Sequence, residues 1–173
     1  MIKILETERL LLRRFEDEDL SDLFVLYSDP EIRRFYPEGT LSLDETREEL
    51  EWFKNGHPEH PELGLWATIL KSENRFIGRC GLLPWQIEGR DEVEVAYLIA
   101  KRYWGQGLGT EAAMAVATYG FAILKLKRLI CLIDEENMAS KRVAENIGMR
   151  FERKGRDEKG PYLLYSQNQL DRV

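Results

Sequence analysis

Apolar positions along the 173-residue chain switch repeatedly between strand and helix periods. Strand-length runs stand at Arg9-Leu10-Leu11-Leu12-Arg13, Leu65 to Lys71, Arg75 to Trp85, Glu92 to Ile99, Arg128 to Ile133, Arg150 to Lys154 and Tyr162 to Asn168. Helical spacing fills the gaps. Asp17 is placed to cap a helix from Glu18 to Ser28 with Leu20, Leu23, Phe24 and Tyr27 on one face, and Asp29-Pro30 stops it. Ser42 and Glu45 form a capping box for a second helix carrying Leu50, Trp52 and Phe53. The alanine-rich stretch Gly107 to Leu124 predicts a long third helix. Met138 to Ile147 predicts a fourth, ended by Gly148 at the C′ position. Ser72-Glu73-Asn74 marks a hairpin turn, and Lys54 to Gly64, with Gly56, Pro58 and Pro61, marks the longest loop. The order β-α-α-β-β-β-α-β-α-β-β predicts an α/β (α+β) fold, a mixed sheet with helices on its faces.

Composition narrows the functions. The length suits a single domain over residues 1–173. A net charge of -6 argues against nucleic acid, which selects basic patches. It favours a cationic partner such as an amine, although solubility alone also accounts for it. Cys80 and Cys131 sit in apolar runs without metal or disulfide spacing, and read as reduced core residues of a cytoplasmic protein with no metal. In Met1-Ile2-Lys3-Ile4-Leu5-Glu6, charge arrives too early for a signal peptide, and no apolar run is long enough to span a membrane.

The chemistry concentrates in Tyr103-Trp104-Gly105-Gln106-Gly107-Leu108-Gly109-Thr110-Glu111-Ala112, between a strand and a helix. Glycines permit a tight backbone there, and the free amides of a first helical turn suit a pyrophosphate. Glycines for close packing are the plainer reading, but three within five positions favour the cradle. A P-loop is excluded because no lysine follows. A dinucleotide fingerprint is the rival: Gly107 to Ala112 fits G-x-G-x-x-A, with Asp134 near the ribose-binding spacing. Against it, Ala100 to Gln106 separates strand from fingerprint, and only one clear βαβ unit exists. A second constellation, Asn137-Met138-Ala139-Ser140 with Glu145-Asn146 and Gly148-Met149, follows the next strand. Asn137 or Ser140 suits a helix cap, and either also stands where a polar group reaches a ligand between two strands.

Four segments in order resemble the GCN5-related N-acetyltransferase (GNAT) superfamily, in particular its RimJ/RimL-type ribosomal-protein N-terminal acetyltransferases. Thr7-Glu8-Arg9-Leu10-Leu11-Leu12-Arg13 is similar to that group's T-E-R-L-x-L-R. Glu94-Val95-Ala96-Tyr97-Leu98-Ile99 is similar to its E-[LIV]-[GA]-Y-x-[IL] strand. Trp104 to Ala112 and Asn137 to Met149 are similar to its glycine loop and last helix. One departure is the missing tyrosine after that helix, where Phe151 stands nearby.

The resemblance implies a GNAT fold with a central mixed sheet of six to seven strands and about four helices. It implies transfer of the acetyl group of acetyl-CoA to a primary amine by direct attack in a ternary complex. Pantetheine would pair with Leu98, Ile99 and Ala100, and the pyrophosphate would lie on Gly105, Gln106, Gly107, Leu108, Gly109 and Thr110. Asn137 would bind pantetheine, Glu94 would act as general base and Ser140 as acid. Against this, Glu94 also reads as a solvated strand residue. The acceptor is a protein N-terminus or a small amine such as a polyamine, antibiotic or amino-acid-like metabolite, and a homodimer is left open. A non-catalytic acyl-CoA-binding module is the alternative from another class. Trp52, Phe53, Trp66 and Trp85 are candidates for the acceptor wall, competing with ordinary core roles. His57 and His60 lie in the polar loop with no ligand spacing.

Overall fold

A computed structural model describes residues 1–172. Those residues form one sheet of eight strands in the order β1-β2-β3-β4-β5-β6-β8-β7. The strands are β1 (Lys3–Glu6), β2 (Leu10–Arg13), β3 (Gly64–Leu70), β4 (Arg75–Ile87), β5 (Arg90–Ile99), β6 (Arg128–Ile133), β7 (Arg150–Asp157) and β8 (Gly160–Asn168). The helices are α1 (Leu20–Ser28), α2 (Leu43–Asn55), α3 (Leu108–Ala122) and α4 (Met138–Asn146). The mixed α/β architecture is as expected, with one more strand than the upper expectation. The addition is β1, whose short Lys3-Ile4-Leu5-Glu6 run pairs antiparallel with β2 and half-buries Ile4 and Leu5.

Local chemistry fixes most boundaries. Ser42 and Glu45 form the reciprocal capping box of α2. The turn Glu88-Gly89 has φ of 51° and 77°. Two consecutive positive values match the twist of a tight hairpin, so β4 and β5 run past Trp85 and Glu92. At the first helix, Asp17 is not the cap. Asp17–Asp19 forms a 3₁₀ turn capped by Glu16, and α1 starts at Leu20. Asp19 is drawn inward by both guanidinium nitrogens of Arg13, each at 2.7 Å, and also accepts from Glu16 N.

The two sheet faces carry different helices. α3 and α4 cover one, burying Leu108, Val116, Phe121 and Ile147 against Leu10, Val95, Ile99 and Leu129. α1 and α2 cover the other, burying Leu23, Tyr27, Leu50 and Phe53 against Leu65, Ala67 and Ile69, with Ala96 and Leu98 alongside. Among the described residues no helix is long and apolar enough to cross a membrane.

All neighbours in the sheet are antiparallel except β5 and β6, which are parallel and register only at Glu94 opposite Ile130. Beyond that bridge the strands part. Two helices start at the mouth of the gap, α3 after β5 and α4 after β6. A ligand site beyond the carboxyl ends of diverging strands is what such topology creates.

Candidate active site

The gap between β5 and β6 opens into two joined chambers. The larger, about 590 Å³, is walled by Leu98 and Ile99, by Trp104, Gly105 and Gly107 to Thr110 of the glycine loop, and by one side of α4. The smaller, about 190 Å³, is walled by Glu94, Ala96, Arg79, Trp85, Leu132 and Asp134, among others. Phe35, Tyr97, Asn137 and Ser140 border both.

The larger chamber has the features of an anion cradle. Gly105 and Gly107 have φ of 72° and 75°, a left-handed backbone that disfavours side chains. A Cβ at Gly105 would meet nothing within 4 Å, so its freedom serves the turn and the open space above it. The first i→i+4 bond of α3 runs from Glu111 N to Gly107 O. The amides of Leu108, Gly109 and Thr110 therefore remain available at the positive end of the helix dipole.

The opening motif of the chain braces this loop. Thr7 Oγ1 donates to Glu111 Oε1 at 2.5 Å, and Arg9 Nε to Glu111 Oε2 at 2.6 Å. Arg9 Nη1 also donates to Gln106 O at 3.0 Å. Burial would raise the Glu111 carboxyl, but the hydrogen bonds from Thr7 and Arg9 hold it below its ordinary value.

The strand edge facing the cleft is defined by alternation. Ala100 N donates to Ile77 O, so Ala100 and Leu98 spend their backbone groups on β4. Tyr97 and Ile99 face the opposite way. The carbonyl of Ile99 accepts from Trp104 Nε1 at 2.7 Å. The free edge thus consists of Tyr97 N–H, Tyr97 C=O and Ile99 N–H.

In the smaller chamber Glu94 is half-buried. Its Oε2 accepts from Trp85 Nε1 at 2.7 Å and its Oε1 from Leu132 N at 3.3 Å. Burial raises its carboxyl above the ordinary 4.5, opposed by those two hydrogen bonds and by Arg79 and Lys159. Tyr97 is held protonated by burial and donates to Ser140 O at 3.0 Å, tying β5 to the start of α4. Asn137 caps α4 by accepting from Ser140 N at 3.1 Å, which leaves its Nδ2 group for a ligand. Burial keeps the Cys131 thiol protonated, and it donates to Val95 O.

The structure therefore gathers Leu98, Ile99, Gly105, Gly107, Leu108, Gly109, Thr110, Asn137 and Ser140 on one wall system, with Glu94 adjoining. Gln106 and Ala100 do not line either chamber. Of the four aromatic candidates, only Trp85 lines one, whereas Phe53 and Trp66 are core. Trp52 packs on Phe53, and the loop histidines His57 and His60 lie off both walls. Residues not singled out from sequence are Phe35, Tyr36, Arg79 and Tyr97. Arg79 carried a signal, a lone charge inside the apolar run Phe76 to Leu82. Phe35 and Tyr36 lie in a stretch with no periodicity to read. Among the described residues no cluster of three or more His, Cys, Asp or Glu side chains is placed to hold a metal ion.

A parted parallel joint with a glycine-rich helix start beside it is a site suited to a phosphate-bearing ligand. The comparisons supply the class of protein. The family model described as acetyltransferase (GNAT) domain matches residues 9–150. The Bacillus subtilis (strain 168) protein YkkB is 37% identical over 94% of each chain, and the uncharacterized N-acetyltransferase YnaD of the same organism is 30% identical over 84% of this chain and 82% of its own. The crystal structure of a GNAT-family acetyltransferase from Bacillus anthracis superposes with a TM-score of 0.82 at 27% identity, covering 98% of this chain and 99% of that one. The chain belongs to the GNAT acetyltransferase family and is an acetyl-CoA-dependent N-acetyltransferase.

Proposed function

We propose that the larger chamber holds acetyl-CoA and the smaller one presents a primary amine to it. The observation that carries this reading is the pair of chambers meeting at Phe35, Tyr97, Asn137 and Ser140. The free amides of Leu108 to Thr110 fit a pyrophosphate. The edge groups of Tyr97 and Ile99 fit the amide groups of pantetheine, in place of the Leu98 and Ala100 backbone. When bound, acetyl-CoA supplies an acetyl thioester at the junction.

The remaining work falls to this chain. Glu94, raised by burial and still within reach of solvent, takes a proton from the ammonium form of the acceptor. Ser140 Oγ, at the junction, gives a proton to the departing sulfur and takes in its place the second proton that the attacking nitrogen sheds as the amide forms. Tyr97 acts as a positioning residue by anchoring the Ser140 carbonyl. Cys131 is no nucleophile, because burial suppresses its thiolate. Direct attack by the amine is therefore the reading that needs no further group. The small volume around Glu94 favours a compact amine over a folded protein surface.

The test is thiol release from acetyl-CoA over a panel of small amines and N-terminal peptides. Turnover with at least one small amine is expected. Tight acetyl-CoA binding with no thiol release across the whole panel would return the chain to a binding module.

A further inference from the structure

The smaller chamber contains a charge that acetyl transfer does not require. Arg79 is 4% exposed, and its guanidinium lines the chamber. Burying a guanidinium is costly unless its donors are met. Nε donates to Tyr27 Oη at 2.5 Å and Nη2 to Tyr36 Oη at 3.4 Å, the second bond being long. Glu49 on α2 adds a countercharge. No acceptor among the described residues meets the Nη1 pair. The arginine is also held in place: its guanidinium lies 5.4 Å from the Tyr27 ring centroid and 5.8 Å from that of Tyr36. Tyr36 is itself fixed by Arg33, 4.2 Å over its ring.

The opposite end of the chamber carries Glu94. The register shows the arrangement: Arg79 faces Leu98 across the β4–β5 ladder, Gly81 faces Ala96, and Leu83 faces Glu94. All three pairs share a sheet face. Arg79 and Leu83 are four residues apart, about 13 Å along the strand. The guanidinium and the Glu94 carboxylate thus stand at two ends of one wall. Between them Ala96 keeps the floor low, and Phe35, Tyr36 and Leu83 supply the sides.

We propose that the acceptor is a small zwitterionic amine, its ammonium group at the Glu94 end and a carboxylate or other anionic group, several bonds away, on Arg79. This rests on the amine-acetylation reading above and names the substrate class for it. An acid separated from its amine by a short carbon chain matches the wall. A polyamine would bring a second cation to the buried guanidinium, where like charges repel.

The experiment measures thiol release at saturating acetyl-CoA with matched acceptors: 4-aminobutyrate and 5-aminovalerate against their amides, with putrescine and a neutral N-terminal peptide alongside. Wild-type enzyme is expected to prefer each acid over its amide in kcat/KM. Hydrogen bonds to a charged group contribute about 1.5–3 kcal/mol, which corresponds to roughly 10- to 100-fold. Arg79→Gln is expected to reduce that acid-to-amide ratio by at least about tenfold. Should Arg79→Gln fail to fold, the acid–amide pairs on the wild-type enzyme decide the matter alone. Equal use of acid and amide, or a preference for putrescine or the peptide, overturns the zwitterion while leaving amine acetylation intact. Absence of turnover with every amine overturns both.

Discussion

Replacing Glu94 by glutamine removes one charge and leaves the side chain's shape. The carboxylate accepts one bond from Trp85 Nε1 and one from Leu132 N. Glutamine has a single acceptor oxygen, so one of those N–H groups would face an NH₂ group instead. That mismatch costs about 1–3 kcal/mol of stability, a sum a folded domain survives. The catalytic loss is separate. A positioned base contributes about 10²- to 10⁴-fold, and Glu94→Gln should lower kcat/KM by that range. The pH profile separates the two effects. Burial sets the Glu94 carboxyl above its ordinary 4.5, so the wild-type rate should fall on the acid side through that raised value as the base becomes protonated. Glu94→Gln should lose this limb. Its deficit should shrink at high pH, where the amine is already neutral. Acetyl-CoA affinity, read by calorimetry, should stay near wild type. Near-full activity of Glu94→Gln at neutral pH with a verified acceptor would refute the base assignment.

Three other outcomes follow from the geometry. Gly109→Val should weaken acetyl-CoA binding severalfold or more while leaving the unliganded melting temperature close to wild type. A Cβ at Gly109 meets only Ile99 Cγ1, at 3.6 Å, and its φ is not positive, whereas Gly107→Val would add strain at φ 75°. Unchanged affinity in folded Gly109→Val protein would remove the pyrophosphate from this loop. Ser140→Ala should lower kcat by about 10²-fold or more with acetyl-CoA affinity unchanged, and retention of kcat would assign the proton to solvent. Glu111, held below its ordinary 4.5 by Thr7 and Arg9, stabilises the fold when ionised. That stability is present above the unfolded value and drains away as pH falls through the lower folded value. Denaturant titrations should show Glu111→Gln less stable than wild type at pH 7, with the gap closing below about pH 4. A gap independent of pH would assign Glu111 a packing role only.

Much of this was readable because the chemistry here is local. The glycine loop announces itself through backbone rules confined to a few residues, and Ser42 with Glu45 specifies a helix start within one turn. The alternation that sets Glu94, Ala96 and Leu98 on one face of β5 is likewise local, and the two core clusters confirm it, with Ala96 and Leu98 on one and Val95 and Ile99 on the other. What escaped depends on contacts distant in sequence. β1 is four residues that become a strand because β2 offers an edge. Asp17 is an exception, since it lost the cap locally: Glu16 and Asp19 form the capping box, with the Asp19 carboxylate held by Arg13. Phe35 and Tyr36 reach the site through the turns that follow α1, where Asp29 and Arg33 organise the backbone. Alternation fixes which residues of β5 share a face, while only the β4 ladder shows that Leu98 and Ala100 spend their backbone groups there and Ile99 does not.

One joint in the sheet explains why these parts converge. Six of the seven joints among the described strands are antiparallel ladders, and each such ladder satisfies its backbone groups along its length. The parallel joint of β5 and β6 is different, because it is registered at a single position and then abandoned. Parting the strands leaves unpaired backbone groups, which are costly when buried unless something meets them. The chain meets some from within: Glu94 takes the amide of Leu132, Cys131 caps the carbonyl of Val95, and Trp104 caps that of Ile99. The groups left over, on Tyr97 and Ile99, lie beside the larger chamber, within the same wall system as the unpaired amides of α3. The same carboxylate that repairs the joint is also the one positioned to take a proton from an amine. The parallel seam therefore borders both chambers, and on the proposed reading the carboxylate that repairs it, Glu94, is the base at the acceptor end of the cleft.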